Sequence, residues 1–241
     1  MELIKKYLWS NLPIYLLVIA LFAVMATVTT KTVTAVAEAL PMPRSHTIVI
    51  DAGHGGEDGG AVSCTGVQES QINLEISLRL RDLLHFLGYQ TKMIRTSDTS
   101  VSTQGSTISQ RKVSDLKHRV QMVEETENAL LISIHQNQFP EKQYAGAQVF
   151  YAPTQGSQAL AEDTQAQLIA LLNPASKRAC KKADSVYLMQ HISCTGILVE
   201  CGFLSNPEEE AKLRTLEYQQ MLCCILASSL DCFLTQNGNM I

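Results

Sequence analysis

Residues 48–61 read IVIDAGHGGEDGGA. Three β-branched residues, Ile48, Val49 and Ile50, run straight into Asp51-Ala52-Gly53-His54, and glycines stand at 53, 55, 56, 59 and 60. An apolar run of this kind belongs in a strand covered on both faces. The glycine-rich run after it suits a phosphate loop, a metal site or a plain turn, and the rest of the chain decides among them.

Outward from this stretch, strand-length apolar runs alternate with helical patterns. Strands are expected at 47–52, 89–94, 129–135, 146–152, 185–190 (SVYLMQ) and 195–201 (TGILVEC). Between the first two, residues 69–88 place Ile72, Ile76, Leu80, Leu83, Leu84 and Leu87 on one helical face, with Gly88 as the stop. Residues 96–109 are rich in Ser, Thr and Gln and read as a loop. Residues 110–126 form an amphipathic helix with Val113, Leu116, Val120 and Val123 inward, and 157–172 a further helix. SNPEEEAKL opens another helix, with Asn206 as cap, Pro207 in the first position and Glu209 three after the cap. A last helix covers roughly 216–234. This alternation predicts an α/β fold: one three-layer domain with a mostly parallel twisted sheet and helices on both faces.

Three of the strands end in chemistry: TIVIDAGH in His54, LLISIH in His135 and GILVE in Glu200. The carboxyl ends of parallel strands share one edge, where ligands bind. Glu69 opens the helix that comes after the first strand and so starts near the same edge. Two imidazoles and a carboxylate suit a catalytic zinc, which keeps one position open for water. His54, Glu69 and His135 are the expected ligands, and Glu200 the general base and then acid. The glycines let the chain turn sharply after the strand. Asp51 or a backbone carbonyl is expected to orient a metal-bound imidazole. Taken singly, each residue has a plainer reading: a packed histidine, a glutamate near a helix N-terminus, a turn-holding glutamate. Convergence on one edge favours the site, because unpaired His and Glu are costly to bury there.

Other chemistries fit less well. GHGGEDGG lacks Gly-Lys-Ser/Thr, and Glu57 and Asp58 would repel phosphate. A G-x-S-x-G elbow is absent. The seven cysteines are odd in number, irregularly spaced and without a CxxC, unlike a disulfide scaffold. Cys223, Cys224 and Cys232 read as small core residues, and Cys201 beside Glu200 is a nucleophile to test. His46, His85, His118 and His191 read as structural or exposed. The chain of 241 residues carries a net charge of −4 and no basic run, which argues against nucleic acid.

The N-terminus is different in kind. No charged residue lies between Lys6 and Lys31, and residues 11–28 are strongly apolar. Residues 1–31 are expected to be a membrane anchor or signal segment, with the preceding lysines in the cytoplasm and the rest outside. Ala35/Ala37 or Ala37/Ala39 offers a cleavage site if the segment is removed. Residues 32–44 are a linker, 45–236 the catalytic domain and 237–241 a tail.

IVIDAGHGGEDGGA, GVQESQINLEI, LLISIHQN and ILVECGFLSNPEE resemble, in order and spacing, the zinc-dependent N-acetylmuramoyl-L-alanine amidases. The resemblance covers nearly all of 47–235. It implies one zinc held by His54, Glu69 and His135, catalysis by Glu200, and cleavage of the amide between N-acetylmuramic acid and L-alanine in peptidoglycan. Asn73, Arg95, Arg119 and Asn137 also fall on family-like positions, as substrate or scaffold residues. SQRKVSDLKHRV, GAQVFYA and YLMQHISCTGILVECGFLSNP are similar to the sporulation amidases. That subtype implies stem-peptide removal around the forespore, a downstream deacetylase that forms muramic-δ-lactam for germination, and control by expression, metal supply or an activating protein partner. Two rival readings are a silent peptidoglycan-binding scaffold and another zinc peptidase.

Overall fold

The computed structural model describes residues 45–237 and, before them, residues 9, 11–13, 23 and 25. The apolar segment expected at 11–28 therefore lies mostly outside the described residues. Among those described, no helix is long and apolar enough to cross a membrane. Pro43–Ile241 forms one compact unit and Met1–Met42 another.

A six-stranded sheet organises the larger unit. Its strands are β1 (Thr47–Ala52), β2 (Gln90–Met93), β3 (Ala129–Asn137), β4 (Gln148–Tyr151), β5 (Lys181–Lys182) and β6 (Thr195–Phe203), in the order β2-β1-β3-β6-β4-β5. β2, β1, β3 and β6 run parallel. β4 runs antiparallel to β6, and β5 lies parallel to β4. Four of the five pairings are parallel, so the sheet is mostly parallel as expected and is mixed only where β4 meets β6. A chain that re-enters a sheet in the same direction needs a crossover of about a dozen residues or more, and the connection 138–147 from β3 to β4, which flank β6, is shorter than that, so the chain enters β4 reversed.

Helices α1 (Glu69–Phe86), α3 (Ser157–Leu172) and α6 (Leu216–Asn237) cover one face. Ile72, Ile76, Leu80 and Leu84 of α1 join Leu160 and Leu168 of α3 and Leu222, Leu226 and Leu230 of α6 in the larger core. These pack on Ile48 and Ile50, on Leu130, Ile132 and Ile134, and on Ile197 and Val199. The alternate strand residues Val49, Leu131 and Leu198 point the other way, into a smaller core with α2 (Ile108–Glu124) and α4 (Tyr187–His191). Period-2 alternation with both sets buried is the signature of a covered sheet.

Several elements differ from expectation. SVYLMQ is not a strand: Leu188, Met189 and Ile192 are buried at helical spacing, and α4 packs them on the second core. β3 and β6 run past His135 and Glu200 rather than ending at them. Helix α2 begins two residues early, at Ile108, under a Thr107/Gln110 capping box. Val113 is exposed rather than inward, because Ser114 and Asp115 on the same turn face the loop, accepting hydrogen bonds from the backbone of Thr103, Gln104 and Val101. α5 (Pro207–Leu213) is capped by Asn206 as expected, but Glu209 turns away from the cap and accepts from Gly146 N and Phe203 N. All seven cysteines are free thiols. Cys223 is buried, whereas Cys224 is exposed and Cys232 half-buried, because only Cys223 lies on the inward face of α6.

Candidate active site

His135 and Glu200 are neighbours across the β3–β6 ladder, paired in Cα register. Both leave the sheet on the face of Asp51, Ser133 and Leu198, the α2/α4 side. Glu69 comes over the edge from the other side, from the first residue of α1. It is buried, and its two oxygens divide the work: Oε1 lies 3.0 Å from His135 Nδ1, and Oε2 lies 3.3 Å from His54 Nε2. Gln136 N and Asn73 Nδ2 donate to Oε1, and Ala61 N donates to Oε2. The ligand atoms of His54, Glu69 and His135 all lie within 4.8 Å of one another. The His54 and His135 rings meet edge to face, with centroids 5.0 Å apart.

Two glycines make this approach possible. A Cβ on Gly53 would stand 2.2 Å from His135 Nε2. On Gly60, at φ 69°, it would meet Glu69 Oε2 at 2.6 Å and His54 Cδ2 at 2.7 Å. His54 itself adopts φ 62°, a left-handed conformation that a side chain disfavours. The strain is held by hydrogen bonds to successive carbonyls. Arg95 donates to Ala52 O and Gly53 O, and Arg119 donates to Ala52 O and His54 O. Arg119 is itself fixed between Asp51 and Asp115.

These contacts set the charge states. Burial pushes the Glu69 carboxyl up, but hydrogen bonds and charge from His135 and His54 outweigh it and hold the group well below the usual carboxylate range. Burial pulls His54 down, yet Glu69 and Asp58 together raise it. Glu200 goes the other way: burial pushes it up to about 7, with the Glu69 charge adding and His135 and His54 opposing. Its Oε2 is buried without a hydrogen-bond partner among the described residues. Such an atom is costly unless something met in function satisfies it. A cavity of about 230 Å³ opens beside His54 and His135, with Asp51, Leu116, Leu188 and Leu198 in its wall.

Two nitrogens and a carboxylate at this spacing are the donor set that a catalytic zinc takes, so the residues present fit that ion. The other sequence candidates serve as supports around it. Asn73 bonds Glu69 Oε1 and Gly53 O, and accepts from Gln136 Nε2. Arg95 and Arg119 grip the loop backbone. Asn137 ends β3, where its carbonyl accepts from Leu204 N. Asp51 does not reach an imidazole: it is buried between Arg119 and Ser133, whose Oγ donates to it at 2.6 Å. Besides Glu69, the carboxylate that reaches a histidine ring is Asp58, 3.1 Å from His54 Nδ1. Its spacing, four after His54 in a glycine-rich turn, was the available signal. Cys201 is fully buried, and burial pushes its thiol up, away from a nucleophile's range.

The comparisons with known proteins bear on the same residues. The family model described as N-acetylmuramoyl-L-alanine amidase matches residues 48–230, a span that includes His54, Glu69, His135 and Glu200. The germination-specific N-acetylmuramoyl-L-alanine amidase of Bacillus subtilis is 36% identical over 194 residues, covering 80% of this chain and 81% of that protein. AmiA of Escherichia coli, also an N-acetylmuramoyl-L-alanine amidase, is 26% identical over 75% of this chain and 73% of its own length. The CwlD amidase from Clostridioides difficile, solved in complex with the GerS lipoprotein, matches with a TM-score of 0.76 at 32% identity, covering 79% of this chain and 99% of that one. With three quarters of its length matched and a histidine–glutamate–histidine cluster at the shared strand edge, the chain belongs to the N-acetylmuramoyl-L-alanine amidase family and is a peptidoglycan amidase.

Proposed function

We propose that this chain is a zinc-dependent amidase that removes stem peptides from glycan strands during spore cortex synthesis, its catalytic domain being 45–236. The observation that carries the chemistry is the cluster of His54, Glu69 and His135 ligand atoms within 4.8 Å, with Glu200 on the adjoining strand position. When bound, zinc would polarise the scissile carbonyl and make a water more acidic. Glu200 takes the proton of the attacking water as oxygen bonds to the carbonyl carbon. It then delivers that proton to the amine as the C–N bond breaks. A carboxyl poised near 7 suits both halves of that exchange. Asn73 and the Gln136 amide hold Glu69 in place, and Arg95 and Arg119 hold the backbone from Ala52 to His54.

The germination-specific relative supports the cortex role. The lipoprotein bound to the Clostridioides difficile enzyme supports a protein partner for this one. The apolar sequence at 11–28 supports a membrane anchor that keeps the domain outside the cytoplasm.

Purified full-length protein is expected to carry one zinc per chain and to release stem peptides from glycan. Glu200→Gln keeps the zinc and loses about 10²–10⁴-fold in rate. An unchanged rate removes Glu200 from the mechanism. Equal cleavage of glycan-free peptides would instead make the protein a peptidase. Deleting the gene and finding muramic-δ-lactam still present in the cortex would break the sporulation assignment.

A further inference from the structure

His54 uses its two ring nitrogens differently. Nε2 faces Glu69 in the ligand cluster, and Nδ1 faces Asp58 Oδ2 at 3.1 Å. The same Asp58 oxygen lies 3.1 Å from Lys112 Nζ on α2. Asp58 is pinned in its turn as well: its carbonyl accepts from Gly55 N at 2.8 Å, and Gly60 N donates to Oδ1. One residue earlier, Glu57 accepts from both Nε and Nη2 of Arg111, at 2.8 and 3.1 Å. Helix α2 therefore meets two consecutive acids of the loop with two consecutive cations. Adjacent helix positions diverge by roughly 100°, so the two pairs restrain the loop from different directions. Arg119, two turns further on, holds His54 O at 2.7 Å.

A carboxylate can only accept, so Asp58 at Nδ1 requires the imidazole proton there. With a proton kept at Nδ1, Nε2 is the nitrogen that would present a lone pair to the metal in place of its present contact with Glu69. We propose that Asp58 is the positioning residue of the metal centre, fixing the tautomer and ring orientation of His54, and that Lys112 holds Asp58 in place. The proposal rests on the zinc reading above. It competes with a plainer one, in which these are loop ion pairs with little energetic weight. The two differ in what they predict for metal affinity.

The test is zinc affinity of the metal-free full-length chain, by competition with a chromophoric chelator, alongside ring ¹⁵N shifts of His54. Loss of such a partner typically costs about 10–100-fold in metal affinity. Asp58→Ala is expected to fall in that range and to mix the His54 tautomers. The near-isosteric Asp58→Asn keeps an acceptor and falls by less, and it carries the test if the alanine variant unfolds. Lys112→Met weakens zinc by a smaller factor and Lys112→Arg restores it. Zinc binding equal to wild type in both Asp58 variants overturns the proposal. Tighter zinc in Lys112→Met would show that the lysine acts by charge alone and overturns its positioning role. A wild-type chain that takes up no zinc at all would instead defeat the metal reading of the site.

Discussion

The end of β1 and the facing ends of β3 and β6 solve the same problem in different ways. His135 and Glu200 are held by the sheet. The β3–β6 ladder runs unbroken from Leu130/Thr195 to their own pair, so each position is set by backbone hydrogen bonds that any sequence could make. His54 stands beyond the last paired residue of β1, Ala52, in a left-handed conformation. Its place is set by side chains sent from elsewhere: Arg95, Arg119, Asn73 and Asp58. A strand end comes with the fold, whereas a loop ligand has to be assembled.

The contrast can be broken most forcefully at Arg119. Arg119→Met leaves the buried Asp51 charge without its cation and frees the His54 carbonyl, and about 3–5 kcal/mol of stability should be lost. Chemical denaturation with a shift in midpoint at constant slope is the measurement. A loss below about 1 kcal/mol, the scale of a weak exposed ion pair, would mean that the loop does not depend on its cradle. Asp51 gives the same pair a pH signature. Burial pushes its carboxyl up, but Arg119 first, then His135 and Ser133, outweigh this and hold it below its ordinary value. A depressed pKa contributes stability that is complete above the unfolded value, about 4, and is lost as pH falls toward the folded value. Asp51→Asn should therefore be less stable at neutral pH and lose less on acidification, as midpoints measured from about pH 7 to about pH 3 would reveal.

Gly53 sharpens the comparison, since it is where the loop passes the strand. Gly53→Ala puts a methyl group against the His135 ring and is expected to cost about 1–3 kcal/mol together with zinc content. Gly66→Ala is the control: it has positive φ, but its Cβ would enter open space, so zinc should be retained. The smallest effects are at the caps. Thr107→Ala and Asn206→Ala should each cost about 1 kcal/mol. Only Thr107→Ala frays the end of α2 that carries Arg111 and Lys112, so only it should weaken zinc binding in a chelator titration.

The same division explains what the sequence disclosed. The strands of β1, β3 and β6 were legible because burial on both faces writes an apolar run, and the strand-edge rule brought His54, His135 and Glu200 together. Glu69 came with the helix that β1 must feed. The partner of His54 was not legible: Asp51 and Asp58 are both near it in sequence, and only the turn at Gly55 and Gly56 decides which faces the ring. The strand of β4 was legible but its direction was not, and the helix α4 was missed for a related reason. Their local patterns are short, and packing against the finished sheet overrides them.

The β3–β6 ladder loses its even step just past the site. From His135 to Asn137 β3 advances two positions, while from Glu200 to its next pair, Phe203, β6 advances three. The surplus residue bends the strand just after the reacting carboxylate. Removing one residue at 201 or 202 would restore even spacing with Phe203 still opposite Asn137, but it would straighten the strand and redirect the chain that leads from Phe203 into the Asn206 cap. The enzyme's tolerance for deletion should therefore vanish across two positions that carry no chemistry of their own.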